Sequence, residues 1–198
     1  MLLFVFPLSV VASDAVGVLD SAGDVTINGR PSTSKSAVFP GETIHTSASA
    51  RAVVTMRGTM ISLASDSTLT VDTAKVNLGT GTIVVGGEYK AITVNGIRIA
   101  AGSAPGSRFL VKSVNDHLKI VALAGDLVVG EGQDQTPVPA TKGIDVSKGK
   151  NGDPTMRHAW LSDPDIGILI VVGAAIAAGV TVGIINSQNS KSTSPANP

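Results

Sequence analysis

Apolar and polar residues alternate with a period of two from about residue 16 to residue 147, in short runs separated by turn residues. The runs hold aliphatic pairs such as Val25 and Ile27 or Leu69 and Val71, each with a polar residue between them. Gly and the pairs Asn-Gly, Pro-Gly and Gly-Asp stand between the runs, and Asn-Gly in that position is a strong hairpin signal. Because such runs recur about every 8–12 residues, the pattern predicts an all-β domain, either a solenoid-like roll or a sandwich of short strands.

One piece of this pattern occurs twice. Residues 22–29 read AGDVTING and residues 124–130 read AGDLVVG, and each is followed by a polar stretch that contains Pro and Lys. A repeated strand module suits stacked β-coils, while chance similarity is the alternative because Gly, Val and Asp are common here. The motif Gly79-x-Gly81 lacks the third glycine of a dinucleotide-binding loop and is predicted to be a turn.

Residues 166–185 break the alternation. They read IGILIVVGAAIAAGVTVGII, with no charge, no proline and Thr181 as the only polar side chain. About 20 residues at about 1.5 Å each span roughly 30 Å, the thickness of the hydrocarbon core of a bilayer. The segment therefore predicts a transmembrane helix. A buried core helix is the alternative, and it is disfavoured because a soluble helix of this length carries a polar stripe.

Small residues mark one face of that predicted helix. Ala175, Gly179 and Gly183 lie four positions apart, and small residues at this spacing let two membrane helices approach closely. The spacing indicates a helix-packing face that would support a homo-oligomer. The ordinary frequency of glycine in membrane spans is the competing explanation.

Three further segments complete the predicted organisation. Residues 1–15 resemble the apolar and cleavage regions of a secretory signal without its basic start, residues 148–165 are predicted as a linker, and residues 186–198 as a disordered polar tail. The leader favours an exported β domain, here assigned to residues 16–147. The basic residues Lys148, Lys150 and Arg157 before the span favour the opposite orientation, so a cytoplasmic chain with a C-terminal anchor is the alternative.

Composition narrows the classes of function. Apolar residues make up 43% of the 198 residues and aromatic residues only 3%, so a core must be built from Val, Ile, Leu and Ala. The 15 basic and 15 acidic residues cancel and form no basic cluster, so nucleic-acid binding has no electrostatic support. The lack of cysteine excludes disulfides, thiol catalysis and zinc–cysteine sites.

No catalytic or metal-binding constellation stands out in the sequence. His45, His117 and His158 are far apart and have no carboxylate at ligand spacing, so no metal or cofactor is expected. A Ser-x-x-Lys match at residues 32–35 lies in a predicted loop, whereas the corresponding serine chemistry needs the start of a helix. Since no nucleophile and base can be paired, we expect no enzyme, and a hydrolase on a β scaffold is disfavoured.

Residues 40–71, PGETIHTSASARAVVTMRGTMISLASDSTLTV, carry a more specific pattern. Gly41-Glu42 precedes an apolar residue and Thr46, an alternating strand follows, and Gly58 comes before a second strand. In these features the chain resembles the FecR-domain family, over roughly residues 16–129. The resemblance implies an all-β, solenoid-like domain of the periplasm or envelope, with Gly41, Glu42, Thr46 and Gly58 as motif residues. The best-known members relay siderophore-receptor signals to a sigma factor and carry their membrane span before the domain, whereas the predicted span follows it here.

These observations together favour a membrane-anchored, extracytoplasmic FecR-like module for binding or scaffolding at the bacterial inner membrane. A protein partner of unknown identity would contact a strand edge or an apolar groove, for example by strand addition. A transmembrane signalling regulator of the sigma-factor and siderophore-receptor type is the alternative, and the hydrolase is the second alternative.

The predicted span makes the behaviour of the chain in cell fractions testable. We expect the full chain to sediment with membranes and to be released by detergent but not by high salt, because a spanning helix is held by burial of apolar surface. A chain without residues 166–185 is expected in the supernatant after high-speed centrifugation. A full-length chain that stays in the supernatant without detergent would contradict the membrane prediction.

Overall fold

The computed structural model describes residues 14–73, 75–102, 106–115, 117–131, 134–148, 154–159, 170–171 and 183–184. The chain forms two compact units, Met1–Ala159 and Trp160–Pro198. Strands of the first unit follow one another in the order β1 (Gly17–Ala22), β2 (Val25–Ile27), β3 (Arg30–Pro31), β4 (Lys35–Val38), β5 (Thr43–Thr46), β6 (Arg51–Met56), β7 (Thr59–Leu63), β8 (Thr68–Val71), β9 (Lys75–Gly87), β10 (Ala91–Val94), β11 (Ile97–Ala101), β12 (Arg108–Val114), β13 (His117–Ala124), β14 (Leu127–Glu131), β15 (Asp134–Val138), β16 (Gly143–Lys148) and β17 (Pro154–Ala159).

The strands form two sheets that share β9. Sheet A has the order β4-β1-β6-β7-β9-β12-β13-β16-β17. Sheet B has the order β3-β2-β5-β8-β9-β10-β11-β14-β15. Every pairing is antiparallel except that of β9 with β10, which is parallel. The hydrogen bonding therefore runs through both sheets without interruption.

Strand β9 passes from one sheet to the other in its middle. Its first half pairs with β8 and β10 in sheet B, and its second half pairs with β7 and β12 in sheet A. At the crossing, Gly81 has a φ of +94°, a conformation that residues with a Cβ rarely adopt. A Cβ at this position would also lie 2.6 Å from the Cα of Ser67. The crossing thus requires glycine for two independent reasons.

The inward faces of both sheets contribute to one hydrophobic core. Along most strands every second residue is buried, as expected from the period of two, and the core is made largely of Val, Ile and Leu. Phe109 on β12 is completely buried, and its ring meets the ring of Tyr89 edge-on with centroids 5.5 Å apart. The two sheets pack as the layers of a sandwich on this shared core. The all-β prediction is confirmed for the described residues, since none of them lies in a helix.

The repeated AGD segment has a structural counterpart. In both copies the chain leaves a strand of sheet A, turns at Gly-Asp and enters a strand of sheet B, from β1 to β2 and from β13 to β14. In both copies the aspartate carbonyl accepts a backbone hydrogen bond, Asp24 from Ser47 at 3.1 Å and Asp126 from Gly102 at 2.7 Å. The two segments are therefore equivalent corners between the sheets.

Two expectations from the sequence are wrong. Gly79-x-Gly81 is not a turn but the centre of β9, because the strand continues through it by changing sheets. The predicted linker 148–165 contains β17, which pairs with β16 from Gly143↔Ala159 to Lys148↔Pro154 and extends the β domain to residue 159. Proline is tolerated there because it occupies the first position of the strand.

The prediction of a membrane helix over 166–185 falls mostly outside the described residues. Within it the structure describes β18 (Ile170–Val171) and β19 (Gly183–Ile184), which pair antiparallel. Among the residues described, no helix has the length and hydropathy needed to cross a membrane. The predicted leader up to residue 13 and the polar tail also lie outside the described residues.

Substitution of Gly81 tests the strand crossing. We expect Gly81→Ala to lower the free energy of unfolding by more than about 3 kcal/mol, because it adds a collision with Ser67 to the backbone strain. Gly29→Ala is the matched control, since Gly29 has a φ of +75° and no atom within 4 Å of the added Cβ. Its cost is expected near about 1 kcal/mol, from backbone strain alone. Equal losses for the two variants in urea denaturation would contradict this account.

Candidate interaction surface

The motif residues Gly41 and Glu42 build a corner between two strands. The backbone N–H of Gly41 donates to the carbonyl of Val71 at 2.7 Å. One carboxylate oxygen of Glu42 accepts the backbone N–H of Phe39 at 2.9 Å, and the other accepts the side-chain amide of Asn28 at 3.3 Å. Both oxygens are therefore used to join the turn before β5 to the β2–β3 hairpin.

Thr46 lies at the centre of a buried polar network beside the strand crossing. Its hydroxyl donates to the carbonyl of Ala64 at 2.6 Å and accepts the backbone N–H of Ser67 at 3.0 Å. The Ser67 hydroxyl in turn accepts the backbone N–H of Thr82 at 3.0 Å. Thr46 and Ser67 are fully buried, so these bonds satisfy two hydroxyl groups that water cannot reach.

Gly58 lies in the turn of the β6–β7 hairpin, where its carbonyl accepts the backbone N–H of Glu88 at 3.0 Å. The structure thus gives Gly41, Glu42, Thr46 and Gly58 separate structural roles and does not bring them together in one site. Of the predicted helix-packing residues, Ala175 and Gly179 lie outside the described residues, and Gly183 is described only as part of β19.

Three of the four sheet edges that the structure describes are poorly suited to strand addition. In sheet B, the edge strands β3 and β15 contain Pro31 and Pro137, which have no backbone N–H to donate. In sheet A, both ends of β4 are engaged by side chains: Thr33 donates to the carbonyl of Lys35, and Glu42 accepts the N–H of Phe39, each at 2.9 Å. The fourth edge is β17, where proline occupies only the first position.

The outer face of sheet B is polar at β5 and β8. Thr43 and Thr70 share a hydrogen bond across the sheet at 2.9 Å, and His45 bonds Thr68 at 3.1 Å. Threonine is common on the solvent face of strands because it combines β-propensity with a hydroxyl that water can solvate. At β10, β11 and β14 the same face carries Ala91, Ala100 and Val128, which stand opposite one another.

The outer face of sheet A is different at its centre. Val84, Leu110 and Val121 face away from the core cluster and stand opposite one another on β9, β12 and β13. They are only 3–6% exposed, although they are not part of the core. We call these three side chains the sheet A stripe. Antiparallel sheets usually present a polar outer face, whereas the centre of this outer face is apolar and buried.

Cationic side chains flank the sheet A stripe. Arg108 and Lys112 stand on either side of Leu110 along β12, and Lys119 stands beside Val121 on β13. The side chain of Arg108 lies flat over β9, since a Cβ built on Gly86 would lie 3.5 Å from its Cγ. Long basic side chains often cover apolar surface with their methylene stems in this way. The Nε of Arg108 is buried and has no hydrogen-bond partner within the described part of the chain.

Other titratable groups have simpler surroundings. His117 and Asp145 form an exposed pair at 3.2 Å at the border of the same face. Burial raises the pKa of Tyr89 well above its usual range, so the phenol stays protonated beside Phe109. Within the described ranges, no three histidine or acidic side chains are grouped as a metal site would require.

The sequence contained a signal for the stripe that alternation alone does not reveal. Runs of three or more consecutive apolar residues occur at 83–85, 109–111 and 120–124, whereas a strand with one buried face alternates strictly. The second apolar face follows from these runs, but only once the register places Val84, Leu110 and Val121 side by side.

Comparison with known proteins gives a distant structural likeness. No family model matches the sequence, and none of the curated proteins matches it. Two crystal structures of a candidate anti-sigma factor from Parabacteroides distasonis, at 1.65 and 2.50 Å resolution, each align with a TM-score of 0.43 at 13% sequence identity. The alignment covers 60% of this chain and 60% of that protein, so the chain matches less than two thirds of its length.

Thr46 offers a test of the buried network. We expect Thr46→Val to lower the free energy of unfolding by at least about 2 kcal/mol, because it leaves the carbonyl of Ala64 and the N–H of Ser67 buried without partners. Thr46→Ser keeps both bonds and loses one methyl group, at a cost of about 1 kcal/mol. A valine variant as stable as the serine variant in urea denaturation would show that the network adds no stability.

Proposed function

We propose that this chain is a non-catalytic binding module of the bacterial envelope that recognises a protein partner through the outer face of sheet A. In this proposal, residues 166–185 hold it in the inner membrane and the FecR-like β domain lies on the extracytoplasmic side. The observation that carries the proposal is the make-up of this outer face, where the partly exposed side chains of Arg108, Lys112 and Lys119 surround the buried apolar stripe.

The composition of its outer face supports a binding role for sheet A. At the centre of that face, apolar residues on β9, β12 and β13 stand beside cationic ones. Interfaces between proteins typically have an apolar centre with a polar rim. The β17 edge of the same sheet adds a second contact of the kind expected from the sequence, by strand addition.

A transmembrane regulator of the sigma-factor type is the alternative that the sequence resemblance raises. In that case the partner would be a sigma factor or a receptor, and the signal would pass through residues 166–185. The binding module and the transmembrane regulator share a partner-binding β domain and differ in the identity of the partner. One experiment therefore tests both functions.

Site-specific crosslinking in the source cells tests the binding surface. A photo-crosslinking residue replaces Ser62, which lies half-buried beside Val84 on sheet A, and in the control it replaces Thr93, which is also half-buried and lies on the outer face of sheet B. We expect a defined crosslinked product from position 62 and none from position 93. A sigma factor or outer-membrane receptor in the product would favour the regulator, whereas an envelope protein of another kind would favour scaffolding. No product at position 62, or equal products at both positions, would contradict the proposal.

Protease treatment of spheroplasts tests the proposed orientation. If the β domain is extracytoplasmic, added protease is expected to degrade it in intact spheroplasts while a cytoplasmic marker survives. A β domain that is protected until the spheroplasts are lysed would place it in the cytoplasm and overturn this part of the proposal.

A further inference from the structure

We propose that strand β17 pairs antiparallel with strand β17 of a second copy of the chain, so that two sheets A join edge to edge. The inference rests on the strand-addition part of the proposed function and names the occupant of that edge. The outer face of sheet A takes no part in this contact and stays available to the protein partner.

The open side of β17 is the starting observation. Within the described ranges, β17 pairs with β16 alone, from Gly143↔Ala159 to Lys148↔Pro154. A strand at the end of a sheet presents unpaired N–H and C=O groups on its open side, and these groups favour pairing with another strand. The other three described edges are obstructed by proline or by side-chain caps. A further strand is therefore added most easily at β17.

The hydrogen bonds of the preceding ladder show which residues of β17 face the open side. The N–H of Ala122 on β13 donates to the carbonyl of Lys142, just before β16, at 2.9 Å. Because hydrogen-bonded and non-hydrogen-bonded pairs alternate along an antiparallel ladder, every second residue of β16, including Asp145, directs its backbone groups toward β17. The residues opposite these on β17 are Thr155, Arg157 and Ala159. The backbone groups of Met156 and His158, which lie between them, consequently face the open side.

A two-fold axis through Met156 gives the longest register that keeps the two arginines apart. In this register the N–H of each Met156 donates to the carbonyl of the other Met156, and the N–H of each His158 donates to the Pro154 carbonyl of the second copy. Proline is harmless there because only its carbonyl is needed. Arg157 then stands opposite Thr155 of the second copy. An axis through Arg157 would instead place two like charges directly opposite each other, which destabilises a sheet.

A second copy is the occupant that the strand itself specifies. A symmetric contact requires a surface that is complementary to itself, and β17 meets this requirement in the Met156 register, where donors face acceptors and no like charges are opposed. Residues 166–185 follow β17 closely in the sequence. In the proposed function they hold both copies in one membrane, which raises the local concentration of β17 and compensates for the small size of the contact.

Cysteine crosslinking of the purified full chain in non-ionic detergent tests the pairing. The chain has no cysteine of its own, so an introduced thiol reacts without competition. Opposite residues of a hydrogen-bonded pair have Cα atoms about 5.5 Å apart, within the range of a disulfide. Under mild oxidation we expect Met156→Cys to give at least about tenfold more covalent dimer than Ala37→Cys, which changes an exposed residue of edge strand β4. Equal yields from the two variants would overturn the inference.

Two further thiols test the register. A mixture of the Thr155→Cys and Arg157→Cys chains is expected to form a covalent dimer faster than either chain alone, because these two positions face each other across the axis. If Arg157→Cys alone formed the dimer fastest, the axis would pass through Arg157 and the proposed pairing would be wrong.

Charge at position 155 tests the contact without a covalent bond. We expect Thr155→Arg to weaken the dimer and Thr155→Glu to strengthen it, with dissociation constants at least about tenfold apart in sedimentation equilibrium, because each new charge faces Arg157 of the second copy. Ser147→Arg adds the same charge one strand away from the edge and is expected to change the constant by less than about threefold. Should Thr155→Arg fail to fold by circular dichroism, Thr155→Gln replaces it in the comparison with Thr155→Glu. Equal constants for the variants at position 155 would overturn the inference.

Other occupants of the edge give different products. A photo-crosslinking residue at position 156 in the source cells is expected to yield a product that contains only this chain. A product that contains another protein, or a chain that stays monomeric when residues after 159 cover the edge, would overturn the assignment to a second copy. Crosslinking at position 62 does not depend on β17, so a partner captured there would leave the binding function standing when the dimer fails.

Discussion

The fold depends on one strand that belongs to two sheets. Strand β9 pairs with β8 and β10 in sheet B and then with β7 and β12 in sheet A, so it leaves one layer and enters the other. Beside this crossing, the hydroxyl of Ser67 accepts the N–H of Thr82 on β9, and the hydroxyl of Thr46 bonds the backbone of Ala64 and Ser67. Loss of this network would weaken the joint between the two layers. The strands on either side of the joint would then lose the constraint that fixes their register.

The core is compatible with so few aromatic residues because both layers are sheets. Aliphatic β-branched side chains standing on two facing pleated surfaces fill a layer about 10 Å thick without large rings. Phe109 and Tyr89 form a single aromatic contact in this layer. Because its inner side already provides the core, sheet A can also carry apolar residues on its outer side.

Much of the β architecture follows from the sequence, because the period of two and the turn residues are local properties. Alternation such as that of Val25 and Ile27 correctly marks strands, and the repeated AGD segment correctly marks equivalent places in the fold. The path through Gly81 could not be predicted locally, since glycine in a turn and glycine in a strand that changes layers look alike in sequence. Strand β17 was missed because proline and glycine around it resemble a linker, and only pairing with β16 makes it a strand. The stripe required the register of three strands, which depends on the whole sheet.

The treatment of the sheet edges has a consequence for how many copies of the domain can associate. Open-ended fibres require two complementary edges on each molecule, so that every addition presents a new one. Of the four edges that the structure describes, proline closes two and side-chain caps close a third. An association through β17 would use up the remaining edge on each molecule and stop at a pair. Molecules at high local concentration could thus come together two at a time without growing into aggregates.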